Sequence, residues 1–419
     1  MAQTTSRDVA RVRLGAAGAA VTVATVVTNA LAYVVPMLGA RRLTPADLGA
    51  LATVLALAAI AAVPGFGLQI AVAAHRARRG AGDTGPLGLR TAALTAGVTV
   101  AAAPILTIAL RLPLALTLLL ATTTFATVLS GRWLGELQGQ QRFLRLAAAM
   151  VAVAVGRYGG LVAGLLLGRG PEMCLFLTTV TGLFALPLVA RLASSPEYPR
   201  PVDPATSGPG DVDATGTSPD PSPAARRLGA RQVMTAGGAT LAMLTISYAD
   251  LILARQLLPA AASGAYAVGA VLTKGALWAP QVVTLLVLPR LAQGDRRARL
   301  VALALILTCG AVLVVSSAVA GELAFRLVGG ADYLHLAGTA PMFAAVGALY
   351  AVVFMLVNDR VATAARWPAA PLWLATAGLT AAAALIAPRT VTGVLTCSLT
   401  VATLAAVVMA WLVFGRGRR

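Results

Sequence analysis

Three ionisable side chains lie within long apolar stretches of the sequence, where a charge is expensive. Asp250 lies in LTISYADLILA (244–254), Lys274 lies in the next apolar stretch, and Arg157 lies in an earlier one. An unpaired charge at the centre of a membrane-spanning helix costs about 2.5 to 3.5 kcal/mol, so each side chain should face a partner or water. Asp250 and Lys274 have opposite charges, and we expect them to form an ion pair.

Two interpretations of these charges stay open. The ion pair could only fix the packing of two helices, or the carboxylate could take up a proton and release the lysine during a conformational change. Arg157 lies beside a row of glycines that recurs every four residues, which lets two helices approach closely: Gly156, Gly160, Gly164 and Gly168. Arg157 is expected either to reach a cavity beside this packing seam or to bond the carbonyls of a neighbouring helix.

The elements that must hold these residues are membrane-spanning helices. Hydrophobic residues make up 58% of the 419 residues and charged residues 11%, and the mean hydropathy is +0.82. The apolar residues come in runs of about 20, which predicts an all-α polytopic membrane protein with about 12 transmembrane helices. The predicted spans are 14–40, 46–74, 89–110, 113–131, 146–168, 172–192, 233–258, 264–289, 299–320, 336–358, 368–387 and 391–414. At 1.5 Å per residue, the three charges lie at one level, roughly 12 to 16 Å below the external surface.

The charge distribution predicts the orientation. The net charge is +18, and 24 of the 33 basic residues fall in cytoplasmic segments if the N-terminus is cytoplasmic. This asymmetry is typical of the positive-inside rule, so we expect both termini to be cytoplasmic and expect no nucleic-acid partner. The first apolar stretch is similar to a signal peptide, but it continues to residue 40, and we predict a retained first helix.

The chain divides into two similar halves. Residues 193–230 are rich in proline, aspartate and serine and predict a disordered cytoplasmic linker. The linker separates an N-lobe (1–192, helices 1–6) from a C-lobe (231–419, helices 7–12). A shift of 215 residues aligns Tyr33 with Tyr248 and Gly49 with Gly264. We therefore predict two pseudo-symmetric six-helix lobes around a central cavity.

Each half also interrupts its second span with a proline at about the same depth, at Pro64 and at Pro280. Paired helix breaks indicate a transport site between repeats, although a single proline in a membrane helix is often only tolerated there. Weaker candidates for lining the cavity are polar or aromatic residues, whose commoner role is hydrogen bonding between helices. They are Asn29, Gln69, Tyr248 and Gln281.

Three stretches carry a family resemblance. They are RRLTPADLGALATVLALAAIAAVPGFGLQIAVAAHRARR (41–79), YADLILARQLLPAAASGAYAVGAVLTKGALWAPQVVTLLVLPRLAQ (248–293) and GELQGQQRFLRLAAA (135–149). The sequence resembles the polysaccharide-transport (oligosaccharide flippase) branch of the multidrug/oligosaccharidyl-lipid/polysaccharide (MATE-like) flippase superfamily. In that branch a Leu-x-Pro-x-x-x-Gly-like external turn leads into the second helix of each lobe, and an aspartate lies within the seventh helix.

The resemblance implies a flippase that moves a polyprenyl-pyrophosphate-linked oligosaccharide across the bacterial cytoplasmic membrane by alternating access, for cell-surface polysaccharide biosynthesis. Lys274 and Arg157 would attract the pyrophosphate, and Asp250 would act as a gate or coupling element. Expected partners are this lipid-linked substrate, the bilayer, and a glycan polymerase and glycosyltransferases; no cofactor or metal is expected. Some relatives bind a cation through an acidic or amide residue of helix 11, where this chain offers only Thr376 and Thr380.

Two alternatives remain. A cation-coupled multidrug exporter of the same fold would need an acidic, aromatic cavity, whereas aromatic residues are only 5% of this chain. A membrane-embedded glycosyltransferase or acyltransferase would need acidic pairs or a positioned histidine. The sequence has no Gly-x-Ser-x-Gly element and no phosphate-binding glycine-rich loop, so we do not expect an enzyme.

Overall fold

The structure, a computed structural model, describes residues 2–79, 83–194, 223–280, 296–363 and 365–415. Nearly all of these residues are helical, and no strand occurs among them. Most of the predicted linker, residues 195–222, lies outside the described ranges, as do residues 281–295 of predicted span 8 and its following loop. The all-α fold predicted from the sequence is confirmed.

The first lobe contains the seven helices described before the linker. Within it, α6 packs against α1 and α7, while α5 packs against α3 and α4. The helices are α1 (Ala2–Arg42), α2 (Pro45–Ala61), α3 (Val63–Arg79), α4 (Gly85–Leu110), α5 (Leu114–Gly139), α6 (Phe143–Leu166) and α7 (Pro171–Ser194).

The second lobe follows the same plan. Its central helix is α12, which packs against α9, α10 and α14 and has a largely buried surface. The helices described after the linker are α8 (Pro223–Leu257), α9 (Ala260–Trp278), α10 (Arg296–Val319), α11 (Gly321–Val328), a 3-10 helix (Ala331–Thr339), α12 (Ala340–Ala362), α13 (Ala370–Leu385) and α14 (Val391–Phe414).

Each of the twelve predicted spans has a helical counterpart in this order. Ten helical segments of the described residues are long and apolar enough to cross a membrane. Of the other two, α13 has only 16 residues, and α9 has 19 residues and ends just before residues 281–295. The chain is a multi-pass membrane protein.

Predicted span 2 differs from the expectation of one continuous segment, because it consists of two helices. α2 ends at Ala61 and α3 begins at Val63, so Ala62 alone separates them. Pro64 lies in the first turn of α3, where its missing N–H removes no hydrogen bond of the helix. The chain closes this junction with a hydrogen bond of 2.9 Å from the Gly65 amide to the Ala62 carbonyl.

Small residues hold α6 against α7, as the glycine row predicts. A Cβ added at Gly156 would lie 2.6 Å from the Ala185 Cβ, and one at Gly164 would lie 2.8 Å from the Cys174 sulfur. At Gly160 it would overlap the main chain of α7. Gly168 does not belong to this seam, because it lies beyond the end of α6 and has a positive φ of 65°.

The two lobes meet where α2 packs against α8 and α9. We call the end of the molecule with the α1–α2, α4–α5 and α8–α9 turns the distal end, and the opposite end the linker end. At the distal end Gly49 of α2 lies against Gly264 of α9. A Cβ at Gly49 would lie 3.0 Å from the Gly264 nitrogen and 2.6 Å from the Ser263 hydroxyl, and one at Gly264 would overlap the Pro45 carbonyl oxygen. The lobes are therefore in backbone contact at this end.

Candidate functional site

Lys274 is fixed at the boundary between the two lobes. On its own lobe its ammonium donates to the Ser247 main-chain oxygen and lies 3.5 Å from the centroid of the Tyr248 ring. From the other lobe, the Tyr33 hydroxyl donates to the main-chain oxygen of Lys274 at 3.0 Å. A cation over an aromatic face is stabilised by the ring quadrupole. Tyr33 and Tyr248 are the pair that the 215-residue shift aligns, so both repeats contribute a tyrosine to one lysine.

Asp250 faces the interior of the second lobe. Its side chain is 2% exposed. One carboxylate oxygen accepts a hydrogen bond of 2.8 Å from the Leu251 amide, and the other accepts one of 2.9 Å from the Tyr266 hydroxyl. Both oxygens of this buried group therefore have a partner, as a buried carboxylate requires.

The ion pair that we predicted between Asp250 and Lys274 is absent from the described residues, so this prediction is wrong for the conformation seen here. The reason is the direction of the side chains. The Asp250 oxygens are taken by Leu251 and Tyr266, while the Lys274 ammonium turns toward the Ser247 carbonyl and the face of Tyr248. The Lys274 ammonium thus lies at the lobe boundary and the Asp250 carboxylate inside one lobe, and the two charges remain within electrostatic range of each other.

Two tyrosines, Tyr266 and Tyr350, lie near the Asp250 carboxylate. Tyr266 packs edge-on against Phe343 of α12, with ring centroids 5.2 Å apart. Tyr350, also on α12, is fully buried, and its hydroxyl has no hydrogen-bond partner among the described residues. Tyr350 lies within electrostatic range of Asp250. The second lobe therefore contains a polar centre in which one carboxylate and two phenol groups lie close together.

Arg157 provides the second positive charge, from the first lobe. It is half-buried on α6, and its guanidinium carbon lies 5.4 Å from the Tyr158 ring centroid. It lines a cavity of about 30 Å³ between α5, α6 and α7, large enough for ordered water. The lining is mainly apolar, and its four hydroxyl groups donate to carbonyls of their own helices; they belong to Thr123, Thr127, Ser130 and Thr178.

Tyr248 links the two charged regions. Its ring lies beneath the Lys274 ammonium. Its hydroxyl also lies within electrostatic range of groups on both lobes, which are Tyr158, Arg157, Tyr33 and Asp250. The three ionisable residues predicted from the sequence therefore lie close to Tyr248. The hydrogen bonds of Asp250 itself, however, stay within the second lobe.

The remaining candidates are more scattered. Asn29 is exposed on α1. Gln69 donates to Gln138 at 3.0 Å, which joins α3 to α5 within the first lobe. Pro280 follows the end of α9 at Trp278, and Gln281 lies outside the described residues.

Among the tyrosines of this region, only Tyr248 was a candidate from the sequence. Of the seven tyrosines, five lie on the helices around the charged residues, namely Tyr33, Tyr158, Tyr248, Tyr266 and Tyr350. The alignment of Tyr33 with Tyr248 between the halves was the signal for Tyr33, and no sequence pattern marked the other three. One cation at the lobe boundary and a second within electrostatic range of the same Tyr248, both beside phenol rings, can bind an anionic group through charge-assisted hydrogen bonds.

The fold is that of transporters of known structure. The chain is similar to the inward-facing conformation of a multidrug resistance MATE family transporter of the MOP superfamily, with 14% identity, 93% of this chain and 95% of that chain covered, and a TM-score of 0.63. The outward-facing conformation of such a transporter gives 15% identity, 96% and 95% coverage, and a TM-score of 0.55. A third similar structure is a MOP superfamily transporter from Pyrococcus furiosus, described as having a binding pocket of reverse polarity. It has 13% identity, covers 96% of this chain and 95% of its own chain, and gives a TM-score of 0.50. No protein-family model and no curated protein matches the sequence.

Proposed function

We propose that this chain, which has the MATE fold, is a flippase for a polyprenyl-pyrophosphate-linked oligosaccharide that serves cell-surface polysaccharide biosynthesis. The observation that supports this cargo most directly is the sign of the charge at the lobe boundary. Lys274 lies there, and Arg157 of the first lobe lies within electrostatic range of Tyr248, whose ring is beneath the Lys274 ammonium, whereas the Asp250 carboxylate is bonded inside the second lobe. A ligand between the lobes meets two positive charges, which favours an anion.

The orientation of the chain is part of the proposal. The linker end would be cytoplasmic, with both termini on that side of the bacterial cytoplasmic membrane, because most basic residues lie in the segments at that end. The closed distal end would then face outward. This agrees with the higher TM-score to the inward-facing transporter than to the outward-facing one.

In the proposed cycle the pyrophosphate binds Lys274 and Arg157 from the linker end. Such binding would replace the Tyr248 face as the nearest partner of the ammonium, because two phosphate groups offer stronger charge-assisted hydrogen bonds. The bond from Tyr33 to the Lys274 carbonyl crosses between the lobes. It must therefore break or lengthen when the lobes rock, which couples the occupied site to the opening of the distal end.

Asp250 would act as the coupling element of this cycle. The Tyr266 hydroxyl stabilises its ionised form, and the Tyr350 hydroxyl beside it has no partner among the described residues. Uptake of one proton by the carboxylate would remove the charge that Tyr266 now bonds and would change the packing of α8 against α9. This is a local change at the helices that meet the other lobe.

The second candidate function is a cation-coupled multidrug exporter, since the similar structures are described as multidrug resistance transporters. The charge distribution disfavours it, because a cationic drug between the lobes would meet Lys274 and Arg157 with the only nearby carboxylate of the described site buried. The Pyrococcus furiosus protein supports the idea that this fold can carry pockets of different polarity.

The decisive experiment is transport in proteoliposomes loaded with a fluorescent polyprenyl-pyrophosphate oligosaccharide. We expect Lys274→Ala and Arg157→Ala to weaken binding of this lipid by about 10- to 100-fold each, since each removes charged hydrogen bonds. Asp250→Asn should abolish translocation and leave binding nearly intact. Arg169→Ala, at an exposed arginine of the α6–α7 turn, is the matched control and should have no effect.

The same variants separate the competing explanations. Protein levels and thermal stability in detergent should stay close to those of the unchanged chain. Equal loss of folded protein in all three site variants would show that the charges only stabilise the helices. Transport of cationic dyes without transport of the lipid would favour the multidrug exporter.

A further inference from the structure

Arg255 joins the two lobes at the distal end. It lies in the last turn of α8 and is 8% exposed. Its guanidinium donates to the main-chain oxygens of Leu110 at 3.1 Å, Arg111 at 3.0 Å and Ala46 at 3.4 Å, all in the other lobe. A fourth bond of 3.4 Å reaches the Ser263 hydroxyl of its own lobe. All five nitrogen-bound hydrogens of a guanidinium point outward in a fixed fork, which suits several acceptors at once.

The acceptors of Arg255 explain why a buried cation is tolerated there. Leu110 and Arg111 form the C-terminal end of α4, where Arg111 has a left-handed conformation with φ 50°. The last carbonyls of a helix have no partner within the helix and carry partial negative charge. The nearby Asp47 carboxylate accepts a 2.7 Å hydrogen bond from Thr44, and no ion pair to Arg255 is found among the described residues.

A related contact runs in the opposite direction. Arg41, in the last turn of α1, donates to the Leu327 main-chain oxygen at 2.9 Å, near the C-terminal end of α11. The 215-residue shift that aligns Gly49 with Gly264 places Arg255 opposite position 40, next to Arg41. In each repeat, an arginine at the end of the first helix thus bonds a carbonyl after the third span of the other repeat. Arg41 is exposed, whereas Arg255 is buried.

We propose that Arg255 is the latch of a distal gate, with Arg41 as its weaker counterpart. Three of the four bonds of Arg255 cross between the lobes, so they must all break before α2 and α4 can move away from α8. Opening admits water, which then solvates the released guanidinium and the carbonyls of Leu110 and Arg111. The latch therefore favours the closed distal end by stabilising only that conformation. This inference rests on the proposed alternating-access transport.

The test measures the opening of the distal end directly, without substrate. Spin labels at Leu114→Cys and Ala331→Cys, two exposed positions on opposite lobes, report the distance across the distal end in lipid nanodiscs. The three native cysteines are replaced by alanine. We expect Arg255→Gln to raise the ratio of open to closed molecules about 10- to 100-fold, because charged hydrogen bonds are lost.

Control variants set the scale of this shift. Arg389→Gln changes an exposed arginine of the α13–α14 turn and should leave the distance distribution unchanged. Arg41→Gln should shift the ratio by only about two- to fivefold, since exposed polar contacts contribute little. If Arg255→Gln does not fold, Arg255→Met keeps the length of the side chain without its polar group and should give the same shift.

A distance distribution in Arg255→Gln or Arg255→Met that equals that of Arg389→Gln would overturn the latch. The outcome is independent of the cargo, because no substrate is present. If the chain fails to move the pyrophosphate lipid but Arg255→Gln still opens the distal end, the flippase proposal fails and the latch stands. If the lipid is moved and the distal end never opens in any variant, the latch fails alone.

Discussion

The contact between Gly49 and Gly264 gives a prediction whose size can be worked out from the structure. In Gly49→Ala the new Cβ would lie 2.6 Å from the Ser263 hydroxyl oxygen and 3.0 Å from the Gly264 nitrogen. Ordinary contacts of a Cβ begin near 3.4 Å, so Ser263 must retreat by about 0.8 Å and the α9 backbone by about 0.4 Å. Ser263 has little freedom, because its hydroxyl bonds the Ala260 carbonyl at 2.8 Å and lies against Arg255.

Overpacking of this kind costs about 1 to 3 kcal/mol. The cost falls on the conformation in which α2 and α9 touch, and it is relieved when the distal end opens. The open-to-closed ratio should therefore rise about 5- to 150-fold. Gly264→Ala should produce a larger shift, since its Cβ would overlap the Pro45 carbonyl oxygen. The spin-label pair at positions 114 and 331 measures both shifts.

Gly275→Ala is the matched control for these variants. Gly275 lies on α9 like Gly264, but a Cβ there has no heavy atom within 4 Å. All three substitutions raise the helix propensity by about 1 kcal/mol, which affects open and closed molecules equally. An unchanged distance distribution together with a lower melting temperature in Gly49→Ala would show that α2 and α9 stay in contact in every conformation, and the reasoning would be refuted.

Two further predictions concern stability. Gly160→Ala would place a Cβ against the Leu177 carbonyl group and should lower the free energy of unfolding by about 1 to 3 kcal/mol, measured by thermal unfolding in detergent. The control is Gly159→Ala, whose Cβ meets only Val155 at 3.6 Å and which should leave stability unchanged. Equal losses of stability in the two variants would disprove the role of the α6–α7 seam. Arg299→Met removes the 2.8 Å ion pair to the buried Asp359. It should lower the free energy of unfolding by about 3 kcal/mol, since the buried carboxylate loses this partner. An unchanged midpoint of urea unfolding would contradict this expectation.

Much of the fold could be predicted because membrane helices are encoded locally. Apolar length sets each span, and the proline at position 64 lies two residues after Ala62, the junction of α2 and α3. The internal repeat also pointed to residues that meet at the lobe boundary. Its two informative matches both lie at the lobe boundary, where Tyr33 and Tyr248 contact Lys274 and Gly49 contacts Gly264.

The pairing of the charges could not be predicted, because depth along a helix does not give direction around it. Asp250 and Lys274 lie near one level, but Tyr266 lies on the side of α9 that faces the carboxylate and bonds it. The contacts of Arg255 could not be predicted for a different reason. Its partners are main-chain carbonyls, which every residue has, so no side-chain pattern in the sequence marks them.

The contact between Gly49 and Gly264 has a consequence for the symmetry of the fold. Equivalent residues of two related halves touch each other where a twofold axis passes between them, as at the centre of an isologous dimer interface. Two identical six-helix subunits placed on this axis would have needed a residue without a side chain at that position, because any Cβ would have met its own copy. The two glycines therefore mark the place where the pseudo-twofold axis that relates the halves passes between them.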